Sequence, residues 1–153
     1  MSVINTSIEI KAGLEKVYSF SKKIEEFPEF MADMKEITIL ENSKTEKGNN
    51  YKSHWVGYIK DFNLTVKWNE RDVWNDEEHI CYFEMPEGEG DYEIYKGVWK
   101  FSAIDENTTF VEMEIEVEYN VPMIGALIRK LIAKLVKSNA DGMLQSIKNE
   151  LEK

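Results

Sequence analysis

At 153 residues the chain has the length of one domain, and 1–153 is read as a single unit. A net charge of -10 repels phosphate and excludes a nucleic-acid-binding protein that works through its whole surface. A single cysteine, Cys81, allows no internal disulfide, and neither a secretory pattern at Met1 to Phe20 nor an apolar run of about 20 residues is present, so a cytoplasmic protein is expected.

In chain order, Val3 to Ile10 alternates Ile4, Thr6, Ile8 and Ile10 on one side and predicts a strand. Ala12 to Glu15 turns into a short helix whose apolar side is Val17, Tyr18 and Phe20. Phe27 to Met31 predicts a second short helical piece, with Pro28 in its first turn, where a missing N–H costs nothing. Lys35 to Glu41 returns to strand, and Asn42 to Asn50 is a polar turn.

Tyr51 to Ile59 and Phe62 to Trp74 read as a hairpin over Lys60-Asp61. That pairing collects Trp55, Gly57 and Ile59 with Phe62, Leu64, Val66 and Trp68 on one face. Glu78 to Met85 is a further strand, and Pro86 to Asp91 a glycine-containing turn. Tyr92 to Ile104 and the segment ending at Tyr119 form the last hairpin. From Phe110 the second segment puts Val111, Met113, Ile115, Val117 and Tyr119 on one face and Glu112, Glu114, Glu116 and Glu118 on the other. Facing Ile104 with Thr108 sets Trp99 against Met113 and Gly97 against Ile115. The same register sets Lys100 against Glu112 and Lys96 against Glu116. After Asn120-Val121-Pro122, one helical pattern runs from about Met123 to Leu151. Gly142 sits within it, and its first half carries Arg129, Lys130, Lys134 and Lys137 without an acid.

This order of elements resembles the helix-grip, or START-like, superfamily, and within it the polyketide cyclase/dehydrase and coenzyme-Q-binding branch. The likeness is carried by Ile8-Glu9-Ile10-Lys11-Ala12 with Glu15-Lys16-Val17-Tyr18, and by Ile24-Glu25-Glu26-Phe27-Pro28-Glu29-Phe30-Met31. Gly97-Val98-Trp99-Lys100-Phe101 and the Tyr119 to Gly125 entry to the long helix complete it. The resemblance implies an α+β fold: a curved antiparallel sheet of about seven strands wrapped on a long C-terminal helix, with two short helices after the first strand. It leaves function open among lipid carriers, cyclases and co-chaperone-like or ribosome-associated proteins.

The expected ligand-binding residues are Trp55, Trp68, Trp99, Phe101, Met113, Ile115 and Tyr119 of the sheet, with Leu127 and Leu131 of the helix. They would line a cavity for an apolar small molecule: a lipid, a quinone or an aromatic polyketide-like compound. The competing reading is an ordinary packed core. Glu70 and Tyr119 are the candidates for proton transfer if the protein is an enzyme. Glu70 and Asp72 share the parity of Trp68. A carboxylate facing an apolar interior is costly, so a twist or bulge that turns both to solvent is the expectation. His54 and His79 are scattered, with no metal-ligand spacing, so neither a metal nor a cofactor is expected. The basic stretch of the long helix reads first as a lid balancing an acidic body, and second as a transient membrane or protein contact.

Overall fold

The computed structural model describes residues 2–59, 63–119 and 126–153, with backbone alone for 126–128. Strand β1 (Ser2–Ile10) leads into helix α1 (Leu14–Lys22) and a 3₁₀ segment, Ile24–Glu29. Strands β2 (Met34–Lys44), β3 (Gly48–Ile59), β4 (Leu64–Asn75), β5 (Ile80–Glu84), β6 (Ile94–Asp105) and β7 (Thr108–Glu118) follow, then the long helix α2 (Ala126–Leu151). The strands form one antiparallel sheet in the order β1-β7-β6-β5-β4-β3-β2. This is the α+β helix-grip arrangement. Helix α2 packs along β1 and β7, while the 3₁₀ segment covers β2.

Period-2 patterning places the core. Ile4 and Ile10 of β1, Val66 and Trp68 of β4, and Val111, Met113, Ile115 and Val117 of β7 are all buried on the concave face. Helix α2 answers with Ile132, Val136, Ala140, Met143, Leu144 and Ile147, spaced to form one apolar stripe. Trp55 and Trp68 stack across β3 and β4 with centroids 5.7 Å apart, and Phe27 of the 3₁₀ segment stacks on Trp99 at 6.3 Å. Such pairs add about 0.5–1.5 kcal/mol each beyond their buried area.

The last hairpin holds the expected register, with Trp99 facing Met113, Gly97 facing Ile115, Lys100 facing Glu112 and Lys96 facing Glu116. Ile104 is bulged out between Ala103 and Asp105, so the ladder closes on Asp105 and Thr108. The β3–β4 hairpin differs from the expected one. Its ladder ends at Ile59 opposite Leu64, so the connection runs from Lys60 to Asn63 rather than over two residues. The slip is an even number of residues. It therefore leaves Trp55, Gly57 and Ile59 opposite Trp68, Val66 and Leu64 on the same face. Phe62, Lys60 and Asp61 lie outside the described residues.

Two local expectations also change. Pro28 falls late in a 3₁₀ segment that begins at Ile24. The three-residue period of that helix brings Ile24 and Phe27 to the same side, and both are buried. Strand β2 extends to Lys44 and β3 begins at Gly48, which together consume most of the expected polar turn, and a shift at Ile39/Glu41 leaves Leu40 exposed.

Candidate functional site

Strand β4 pairs with β3 from Asn75 opposite Gly48 to Leu64 opposite Ile59 without interruption. The bulges lie elsewhere, in β2 and β6. Parity therefore persists along β4, and Trp68, Glu70, Asp72 and Trp74 all turn inward. This corrects the expectation that the two acids reach solvent: Glu70 is 4% exposed and Asp72 3%. Beyond the end of short β5, the Glu87 to Asp91 connection covers the free edge of β4. Asn69 donates its backbone N–H to Glu89 O, and Asp91 donates to Lys67 O.

The burial of the acids is compensated by a chain of hydrogen bonds. Trp68 Nε1 donates to Glu70 Oε2 at 2.6 Å. Ser53 Oγ donates to Asp72 Oδ2 at 2.6 Å, and Trp55 Nε1 donates to Ser53 Oγ at 2.9 Å. The two carboxyls hydrogen-bond to each other. Burial raises the pKa of both. The neighbouring Asp72 charge and their mutual hydrogen bond raise Glu70 further, while bonds from Glu70 and Ser53 pull Asp72 back down. The two acids therefore titrate as one pair that holds a proton more readily than exposed carboxyls do, while the bond from the Trp68 indole pulls Glu70 part of the way back.

Around the pair lies an internal cavity of about 20 Å³, lined also by Trp55, Trp74, Cys81, Tyr95, Trp99 and Met113. Burial, with the charges of Asp72 and Glu70, pushes the Cys81 thiol up, so it stays protonated and is a poor nucleophile. Trp74 Nε1 is buried and has no hydrogen-bond partner among the described residues. An unpaired buried N–H costs about 1–3 kcal/mol, which makes this atom conspicuous. Met34 and Met143 line both the cavity and a cleft of about 220 Å³ between the 30–34 segment and α2. Phe30, Asp33, Asn139 and Gly142 complete that cleft.

Of the residues expected from sequence, Trp55, Trp99 and Met113 line the cavity. Trp68 holds Glu70, Phe101 packs on Tyr18 and Trp74, and Ile115 is core. Tyr119 is half-buried and meets Tyr92 at 5.9 Å, against a separate small recess beside Arg129 and Ile132. Leu131 is 36% exposed, so on the described surface it belongs to the outer flank of α2 rather than to the lining. The Leu127 side chain lies outside the described residues. Sequence reasoning missed Trp74, Ser53, Tyr95, Met34 and Met143. Trp74 was within reach of the two-residue period continued from Trp68. The others come from different strands and from α2, and only the folded sheet assembles them. His54 sits half-buried with Nδ1 2.7 Å from Asn69 Oδ1.

A curved sheet closed by a long helix over a cavity with buried polar groups defines a START-type ligand-binding fold. The chain belongs to the family described as polyketide cyclase/dehydrase and lipid transport, which it matches over residues 10–144. Among solved structures it is similar to TTHA0849 from Thermus thermophilus, at 26% identity and a TM-score of 0.87, covering 98% of this chain and 97% of that one. The Zhui aromatase/cyclase from Streptomyces sp. R1128 superposes with a TM-score of 0.84 at 12% identity, covering 99% and 93% of the two chains. A START superfamily protein from Mycobacterium smegmatis gives 0.79 at 14%, covering 98% and 97%. No curated protein sequence matches the chain. No helix in the described residues is long and apolar enough to cross a membrane.

Proposed function

We propose that the protein binds and carries an apolar small molecule between the sheet and α2. The observation that carries this reading is the pair Met34 and Met143. These adaptable side chains line both the internal cavity and the cleft, so a change in their rotamers would join the two into one site. A rigid aromatic floor supports it, because Trp55, Trp74 and Trp99 offer area with little loss of side-chain freedom. The family's description, which includes lipid transport, agrees with carriage. Solvent extraction of the purified protein followed by mass spectrometry tests the reading. A stoichiometric apolar molecule is expected. A blank, together with no binding of any apolar probe, removes it.

A second reading is an enzyme of the cyclase/dehydratase type, and the inward position of Glu70 favours it. A carboxyl held protonated in an apolar site can act as a general acid. Glu70→Gln separates the two. A carrier retains its affinity for the extracted molecule, whereas an enzyme keeps binding and loses turnover. A third role, protein or membrane contact through Arg129, Lys130 and Lys134, predicts a partner released when these residues are neutralised.

A further inference from the structure

We propose that the Glu70–Asp72 pair and Trp74 form a head-group site that selects an uncharged ligand bearing a hydrogen-bond-accepting oxygen, such as a ketone or alcohol, and rejects carboxylates. The inference rests on the binding reading above and adds the chemistry of the ligand's polar end.

Two features of the geometry carry it. The first is the orphan donor: Trp74 Nε1 is buried and unpaired, and Trp74 forms part of the cavity wall. Two neighbouring donors are already engaged, Trp68 Nε1 on Glu70 and Ser53 Oγ on Asp72. An arriving oxygen would restore the bond that Trp74 lacks. The second is the sign of the site. Two acids line the cavity, and no Lys, Arg or His does so among the described residues. A ligand carboxylate would bring further negative charge into an apolar interior without a cation, which is strongly unfavourable.

Size supports the same assignment. A space of about 20 Å³ holds one water-sized group. It suits the oxygen of a ligand, while the apolar remainder runs past Met34 and Met143 toward the cleft. A protonated amine would meet the acids favourably, but it has no lone pair for Trp74 and would leave that donor unpaired.

Binding of four probes with closely matched chains tests the proposal: methyl octyl ketone, decanoate, decylamine and decane, each titrated calorimetrically at neutral pH. The ketone should bind roughly three- to tenfold more tightly than decane, the worth of one net hydrogen bond. Decanoate should be the weakest. Trp74→Phe should abolish the preference for the ketone over decane, whatever it does to the affinity of decane itself. Asp72→Asn, which removes one of the two acids from the cavity wall, should raise decanoate affinity about tenfold or more. Circular dichroism establishes that each variant is folded, and either variant alone suffices. Equal binding of ketone and decane, or decanoate or decylamine binding tightest, overturns the head-group site while leaving apolar binding intact. Failure of all four probes overturns the binding reading itself.

Discussion

Glu70 is a carboxyl buried in an apolar interior, and the consequence is a pH-dependent stability. Its carboxyl ionises less readily in the folded chain than in the unfolded one, chiefly through burial and then through Asp72. Folding therefore takes up a proton. The contribution to stability is fully present below the ordinary carboxyl range and is lost as pH rises through the raised folded value. Asp76 and Asp141 shift the other way, held down by bonds from Lys22 and Tyr18 and from Thr6 and Lys137 respectively. They are common to both chains when wild type is compared with Glu70→Gln, so the difference reports the Glu70–Asp72 pair. Thermal midpoints from pH 4 to pH 8, a span that begins at about the unperturbed carboxyl value, should show Glu70→Gln gaining on wild type as pH rises. Parallel curves would mean that Glu70 meets solvent.

Two glycines show how the elements constrain single positions. At Gly97 of β6 an added Cβ would lie 2.0 Å from Glu114 O and 2.6 Å from Phe83 Cζ. The β7 backbone and the Phe83 ring occupy the space a side chain would need. Gly97→Ala should destabilise by roughly 1–3 kcal/mol, read as a lower urea midpoint with an unchanged slope. At Gly142 of α2 an added Cβ meets nothing within 4 Å. Gly142→Ala should stabilise by up to about 1 kcal/mol in the same experiment, the difference in helix propensity. The cross-strand ion pair Lys96–Glu116, 3.7 Å long with both side chains partly exposed, is worth at most about 1 kcal/mol, so Lys96→Ala should barely move the midpoint.

The same scale separates what could be read in the chain from what could not. The β6–β7 register was legible because two independent signals, apolar inside and opposite charges outside, demand one alignment. The β3–β4 turn was not, since apolar parity is indifferent to a slip of two residues. Glu70 and Asp72 were misjudged for a physical reason. Their period pointed inward, but the cost of burying two acids argued against it. The compensation comes from Ser53 and from two indoles, groups whose reach across strands no periodicity reveals. Leu131 shows the opposite limit: it fits a helical apolar stripe, yet α2 buries Ile132 and leaves Leu131 exposed.

On the scale of the whole molecule the sheet has two faces with different prospects. The concave face, under α2, combines a cavity, a cleft and an unpaired indole donor. The outer face carries a shallow groove of about 430 Å³ bordered by Arg71, Val73, Tyr82, Val98 and Glu114. It too is partly apolar, with Val73 and Tyr82 exposed. The central claim is that an apolar ligand enters the concave side. The most direct measurement is a nuclear magnetic resonance titration of isotope-labelled protein with methyl octyl ketone, following backbone amides and tryptophan indole N–H groups together. The account predicts that the Trp74 and Trp55 indoles shift with the amides of Met34 and Met143. Shifts confined to Val73, Tyr82 and Val98 would place the ligand on the outer face and contradict it.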